Sequence, residues 1–377
     1  MQDIFENFGI YLHVPFCAQS CDYCRFYKRA PTSADLDAFV RGVGAEIALR
    51  KTLNGGSLPR PQTMFWGGGT PSVLDERRIE ALAESFGGLL PTDEWTVEVA
   101  PTNATRARLE AFKRVGVSRI SMGVQSFDEG TLRVLGRRHT LKATMEAIGR
   151  VADAGFSHFS IDLIFGAEGQ TPEAWLADID KAAACPVDHI SAYCLEFESA
   201  TSCCGGRGGD YAKAEREGDF LEIAFGRLPE LGFAQYEISN YAKGGARCLH
   251  NLSTWHMARW LGFGPAGASQ FGGRRFRNAP DFGTWLCGVN ADVPAECDVV
   301  PLDDSEMFSS ALIFGLRMND GVDFDLLRRR FPSADSEKYR EPLAFLASQN
   351  LLKIDGGRIR LTQSGRLVAD AVAVELL

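Results

Sequence analysis

The stretch "GIYLHVPFCAQSCDYC" (residues 9–24) decides how the rest of the chain is read. Its first six residues are rich in large apolar side chains and alternate, as a buried strand does. Three cysteines follow at once, Cys17, Cys21 and Cys24, at spacing C-x3-C-x2-C. A structural zinc site wants four closed ligands. Here His13 would have to be the fourth, yet it belongs to the strand before the loop, and no second cysteine pair follows at finger spacing. An iron-sulfur cube has four irons, each wanting an external ligand. Three thiolates fix three of them and leave one open to a small molecule carrying an amine and a carboxylate. Three incidental cysteines on one eight-residue loop are a poor third reading.

Outward from this loop, strand-like runs recur. After residues 9–14 come "TMFW" (63–66), "WTVEVA" (95–100), "SRISMG" (118–123), "HFSIDLIF" (158–165) and "DHISAYCL" (188–195). Between them apolar residues repeat at helical spacing: Leu36, Phe39, Val40, Val43 and Ile47; Ile79, Leu82, Ala83 and Phe86; Ile148, Val151 and Ala152. Pro172 suits the first turn of another helix that shows Trp175, Leu176 and Ile179 on one face. Six strand-helix units predict an α/β fold, a partial (β/α)6 barrel with a parallel sheet and chemistry at the C-terminal strand ends. We expect that barrel over residues 1–200 and an extension of it over 201–295. A small winged-helix-like domain is expected over 296–377, with a hairpin at Asp355-Gly356-Gly357 and helices around it. "GGRGG" (205–209) reads as a flexible loop.

Other chemistry-bearing residues fall at the strand ends. Gly67, Gly68 and Gly69 let a backbone approach a ligand closely. Glu98 points away from the face of Val97 and Val99. Gln125 and Asp162 close two further strands, and an aspartate there accepts hydrogen bonds from a ribose diol. Arg137 suits a ligand carboxylate.

The chain has 377 residues, 45% of them hydrophobic, and a net charge of -9. That balance argues against a nucleic-acid partner, and the basic run Arg328-Arg329-Arg330 reads as a solvated helix face. No apolar stretch approaches the ~20 residues that span a bilayer, and "MQDIFENFGI" is no secretory leader. A cytoplasmic protein that is not an integral membrane protein is expected, in which ten cysteines are poor evidence for disulfides. Cys185, Cys194, Cys287 and Cys297 read as small core or surface residues, and Cys203-Cys204 as a loop pair without a spaced metal partner.

In combination, "YLHVPFC", "GGGTPSVL", "RISMGVQSFDEGTLRVLGRRH" and "IDLIFG" resemble the radical S-adenosylmethionine (SAM) superfamily, in its coproporphyrinogen III oxidase-like branch. Residues 236–269, "YEISNYAKGGARCLHNLSTWHMARWLGFGPAGAS", look most like its HemW-type heme chaperones. The resemblance implies a [4Fe-4S] cluster on Cys17, Cys21 and Cys24, with SAM on the open iron. It implies cofactor contacts from Tyr11, Tyr23, Gly68, Gly69, Thr70, Glu98, Gln125, Arg137, Asp162 and Ala268. It also implies an electron donor, and heme or a porphyrinogen as the large ligand, with a heme-acceptor protein as partner. His250 is the candidate heme ligand, with His139, His256 and Cys248 behind it. The alternative is an oxygen-independent oxidase that decarboxylates porphyrinogen propionates, or another radical tetrapyrrole-modifying enzyme. Oxidases of the branch carry a further cysteine two residues past the third, where this chain has Phe26. The chaperones' His-Asn-x-x-Tyr-Trp motif reads His250, Asn251, Thr254 and Trp255 here, and Arg25 stands where they usually have Asp.

Overall fold

The computed structural model describes residues 7–18, 21, 24–195 and 211–377, with side chains in the helix at 211–230 described from 217 onward. The glycine-rich 205–209 loop, Cys203-Cys204 and Tyr23 lie outside the described residues. The first part of the chain runs β1 (Phe8–Val14), α1 (Ser33–Leu53), β2 (Thr63–Gly68), α2 (Glu76–Phe86), β3 (Glu94–Val99), α3 (Arg106–Val115) and β4 (Arg119–Gln125). It continues with α4 (Glu129–Val134), α5 (Leu141–Ala154), β5 (His158–Phe165), α6 (Pro172–Ala184) and β6 (His189–Cys194). Strands β1 to β6 pair in chain order, all parallel. This is the expected partial barrel of six units.

Local signals start the helices where the sequence places them. Thr32 and Asp35 form a capping box at α1, and Asp75, Thr105, Thr140 and Thr171 each cap the helix that follows. Two helical positions differ from expectation. Leu176 is exposed and only Trp175 and Ile179 face the sheet. Ala152 likewise turns outward while Ile148 and Val151 are buried.

The next segment does more than cover one side. It comprises α7 (Tyr211–Glu230), β7 (Ala234–Glu237), β8 (Asn240–Ala242), α8 (Leu249–Trp255), β9 (Arg259–Phe263), β10 (Ala268–Phe271), β11 (Arg274–Asn278), α9 (Phe282–Asn290) and β12 (Glu296–Pro301). Its strands extend the sheet at both edges, giving the order β12-β11-β10-β9-β1-β2-β3-β4-β5-β6-β8-β7. β9 runs parallel beside β1, so the first strand of the chain lies inside the sheet. The last part runs α10 (Asp304–Gly315), β13 (Val322–Asp323), α11 (Phe324–Arg330), α12 (Arg340–Ser348), β14 (Leu352–Asp355), β15 (Arg358–Leu361), α13 (Gln363–Leu367) and α14 (Ala369–Glu375). A three-stranded sheet, β13-β15-β14, and its helices enclose a second core around Phe308, Leu312, Tyr339 and Leu343.

The two faces of the parallel sheet differ in kind. Ile10, Leu12, Met64, Trp66, Val97, Ile120, Met122, Ile161, Leu163 and Ile190 pack outward, in one core with the helices. The alternate residues face inward and are largely polar: His13, Glu94, Thr96, Glu98, Arg119, Ser121, Ser160, Asp162, His189 and Ser191. A parallel sheet built only to fold would be apolar on both faces. Among the described residues no helix is long and apolar enough to cross a membrane.

Candidate cluster and cofactor site

The cysteine loop leaves β1 at its C-terminal end and is tied down by backbone. The Cys17 N–H donates to Arg29 O at 3.0 Å and the Arg29 N–H to Pro15 O at 2.8 Å, which closes the loop at its neck. Inside it, the Cys24 N–H donates to Cys21 O at 3.2 Å. Cys17, Cys21 and Cys24 are all free thiols, buried or half-buried. Burial pushes the Cys17 thiol up, while a hydrogen bond to Thr70 Oγ1 at 3.3 Å pulls it down, as does the Lys28 ammonium. Among the described residues no three His, Cys, Asp or Glu side chains gather around a point that one metal ion could occupy. A cube asks for something else, three thiolates each meeting its own iron. His13 is no candidate fourth ligand. Its Nε2 donates to Tyr27 O at 2.9 Å and its Nδ1 accepts from the Tyr11 hydroxyl at 3.1 Å. Burial holds it below its ordinary pKa, as a neutral ring.

The glycine run after β2 lies against this loop. Gly69 N–H donates to Val14 O at 2.9 Å and Thr70 N–H to Phe16 O at 2.8 Å. A Cβ on Gly69 would stand 2.5 Å from Val14 O, and one on Gly68, where φ is +94°, 2.3 Å from the His13 ring. Only glycines leave room here, and the cradle they form beside the thiols fits a small cofactor.

Across the inner face the acidic candidates come together. Glu98 Oε2 accepts the Gly68 N–H at 3.1 Å. Burial, with Asp162 nearby, pushes the Glu98 carboxyl up to about 8. Asp162 accepts from Ser121 at 3.1 Å; burial raises it to about 6, against the hydrogen bonds of Ser191 and Ser121 and the charge of Arg137. Gln125 ends β4 with φ of +70°. An added Cβ on Gly123 would lie 2.8 Å from Gln125 Nε2 and 3.8 Å from Arg137 Nη2, so those two side chains flank one spot. Tyr11 is pushed up by burial and by Glu98. The site thus holds one carboxyl, Glu98, that stays largely protonated near neutral pH until a cation arrives, as the sulfonium and amine of SAM would, beside Asp162, which is raised less. Ala268 is exposed at the start of β10, where its carbonyl accepts from Trp260 Nε1 at 3.0 Å and lies against Gly262, the strand partner of Tyr11.

Two residues were missed. Tyr193, two residues beyond Ser191 on the inner face of β6, has its phenol raised by burial and by Asp162 and Glu237. The period-two run from His189 through Ser191 was the available signal. Lys28 donates to Cys24 O at 2.6 Å, and no local pattern announces it.

His250 sits elsewhere. It lies on α8, which packs across β2, β3 and β9, against Thr63 and Glu94, the first residues of β2 and β3. Its Nδ1 meets Thr63 Oγ1 at 2.9 Å and its backbone N–H donates to Glu94 Oε1 at 3.0 Å. The ring packs on Phe65 at 5.4 Å, and burial lowers its pKa to about 4. It is therefore at the opposite end of the strands from the cysteines.

Residues 11–182 match the family model described as "Radical SAM superfamily", and residues 302–368 match "HemN C-terminal domain". The heme chaperone HemW of Mycobacterium tuberculosis is 31% identical, over 99% of this chain and 95% of that protein. The chain belongs to the radical SAM superfamily, in its HemN/HemW-like branch. Bovine "Radical S-adenosyl methionine domain-containing protein 1, mitochondrial" is 30% identical over 99% of this chain and 88% of that one. The Bacillus subtilis HemW is 29% identical, with 96% and 97% covered. Among solved structures, the Escherichia coli coproporphyrinogen III oxidase HemN matches with a TM-score of 0.83 at 20% identity, covering 99% of this chain and 90% of HemN. That likeness establishes the radical SAM fold. Membership of the superfamily implies a [4Fe-4S] cluster and SAM, and the thiol loop and glycine cradle fit both.

Proposed function

We propose that this radical SAM protein is a heme chaperone of the HemW type, which binds heme and passes it to an acceptor protein. The observation that carries this reading is the similarity to heme chaperones along nearly the whole of both chains, 99% and 95%. Phe26, exposed beside the thiol loop where the oxidases have a cysteine, supports it over decarboxylation. The resident cofactors would be held by Cys17, Cys21 and Cys24 for the cluster, and by the Gly68–Thr70 cradle, Glu98, Gln125, Arg137 and Asp162 for SAM. The cluster supplies one-electron chemistry when bound. The protein's own part is to orient the cofactor and to hold a proton on Glu98 until its charge is needed.

His250 is our proposal for the axial ligand. Thr63 at Nδ1 would orient the ring with Nε2 toward the iron, as a partner on the second ring nitrogen does in metal sites. The cleft lined by Gly9, Thr63, His250, Thr254 and Trp260 has no room even for a water molecule, while small-molecule pockets run roughly 300–1,000 Å³. Ligation at His250 thus needs α8 to shift from the sheet.

The test is an anaerobic heme titration of the full chain. Wild type should develop a Soret band. His250→Ala should lose it while keeping its iron and sulfide. A wild-type protein that takes up no heme, yet forms 5'-deoxyadenosine only when porphyrinogen is added, would replace this reading with the oxidase.

A further inference from the structure

The segment after the third cysteine doubles back against the segment before the first. Arg29 bridges to Phe16, and its backbone joins Pro15 and Cys17. The side chains flanking Lys28 turn toward α9. Tyr27 Oη accepts the Phe282 N–H at 2.8 Å, and the Arg29 guanidinium lies 4.9 Å from the centre of the Phe282 ring. Lys28, between these two neighbours, instead reaches the thiol loop. Lys28 is half-buried, and its Nζ donates to the carbonyl of Cys24 at 2.6 Å. That bond fixes the ammonium beside one cluster cysteine, and its charge also reaches Cys17. The hydrogen bond thus places one cation beside the loop.

A cluster held by thiolates gains a unit of negative charge on reduction. Its potential follows net charge, hydrogen bonding and exposure. A fixed cation in a partly buried setting acts more strongly than one in water. We propose that Lys28 is a potential-setting residue, whose ammonium makes one-electron reduction of the cluster more favourable than the same loop would without it. The electron comes from a low-potential one-electron donor. No bond or proton changes at Lys28. Its effect is electrostatic, exerted through the space between Nζ and the cluster rather than by contact with the reacting atoms. The proposal rests on the cluster reading above.

The experiment is a redox titration of the anaerobically reconstituted full chain, with dithionite and mediators, followed by electron paramagnetic resonance. Lys28→Met removes the charge and keeps the stem, so its midpoint should move to more negative potential at unchanged iron and sulfide content. Lys28→Arg should stay near wild type. Lys28→Gln is the second neutral variant. A neutral variant with a full cluster and an unmoved midpoint overturns the proposal. If both neutral variants lose their iron, Lys28 is a brace for the loop and the proposal also falls. A wild-type protein that binds no iron would instead sink the cluster reading, so the two failures are distinct.

Discussion

At the scale of single residues, buried charge is the feature to test. Glu98 titrates near 8 in the folded protein, above the ordinary 4.5, because burial and Asp162 disfavour its charged form. The folded chain keeps a proton there that the unfolded chain releases above 4.5. Stability from this group is therefore whole below that pH and is lost as pH rises toward 8. Thermal unfolding of cofactor-free protein should show that decline, and Glu98→Gln should flatten it. On the proposed contact with SAM, cofactor binding at pH 7 should release close to one proton. Calorimetry in two buffers of different ionisation enthalpy reads this, and Glu98→Gln should abolish it. Gly68→Ala should cost about 1–3 kcal/mol of stability for its backbone conformation alone, and more for the clash with the His13 ring. Chemical denaturation measures it. Glu98 and Asp162 were legible because period-two alternation assigns a face to each strand residue. Lys28 was not, since its place depends on a fold-back set by hydrogen bonds distant in sequence.

At the scale of elements, α8 is held to the sheet by a buried ion pair. Arg119 Nε donates to Glu94 Oε2 at 2.9 Å, and the two side chains are 1% and 3% exposed. Arg119 Nη2 also donates to the carbonyls of Ala246 and Arg247, at 3.1 and 3.0 Å, just before α8 begins. Arg119→Ala would leave Glu94 buried without its partner, a loss of about 3–5 kcal/mol. Urea unfolding should show that loss, together with faster amide exchange across residues 246–258. The first six strands and their helices were legible because alternation, helical repeats and caps are local. The strands β7 to β12 were not. They are three to six residues long, β11 reads "RRFRN", and their pairing joins distant parts of the chain.

At the scale of the whole molecule, two cores are stitched together. Glu237 of β7 bridges to Met318, and Asn319 Nδ2 donates to Gln235 O at 2.8 Å. Phe308 is fully buried in the second core, in ring contact with Tyr339 at 5.4 Å. Phe308→Ala should cost about 3–5 kcal/mol. Hydrogen exchange should place the loss mainly in residues 302–368, with β1 to β6 keeping their protection. Uniform loss over the whole chain would show instead that the two cores unfold as one unit.

The position of β1 has a consequence for how the protein is made. Phe8 pairs with Arg259 and Leu12 with Phe263, so β1, once off the ribosome, must wait for roughly 250 further residues before its second edge is covered. Such distant pairing is slow, and open strand edges invite association between chains. Throughout that wait the three thiols at the end of β1 are reachable. A growing chain is thus open to metal loading early and to oxidation equally early, and refolding from denaturant will succeed best in dilute, strictly reducing solution.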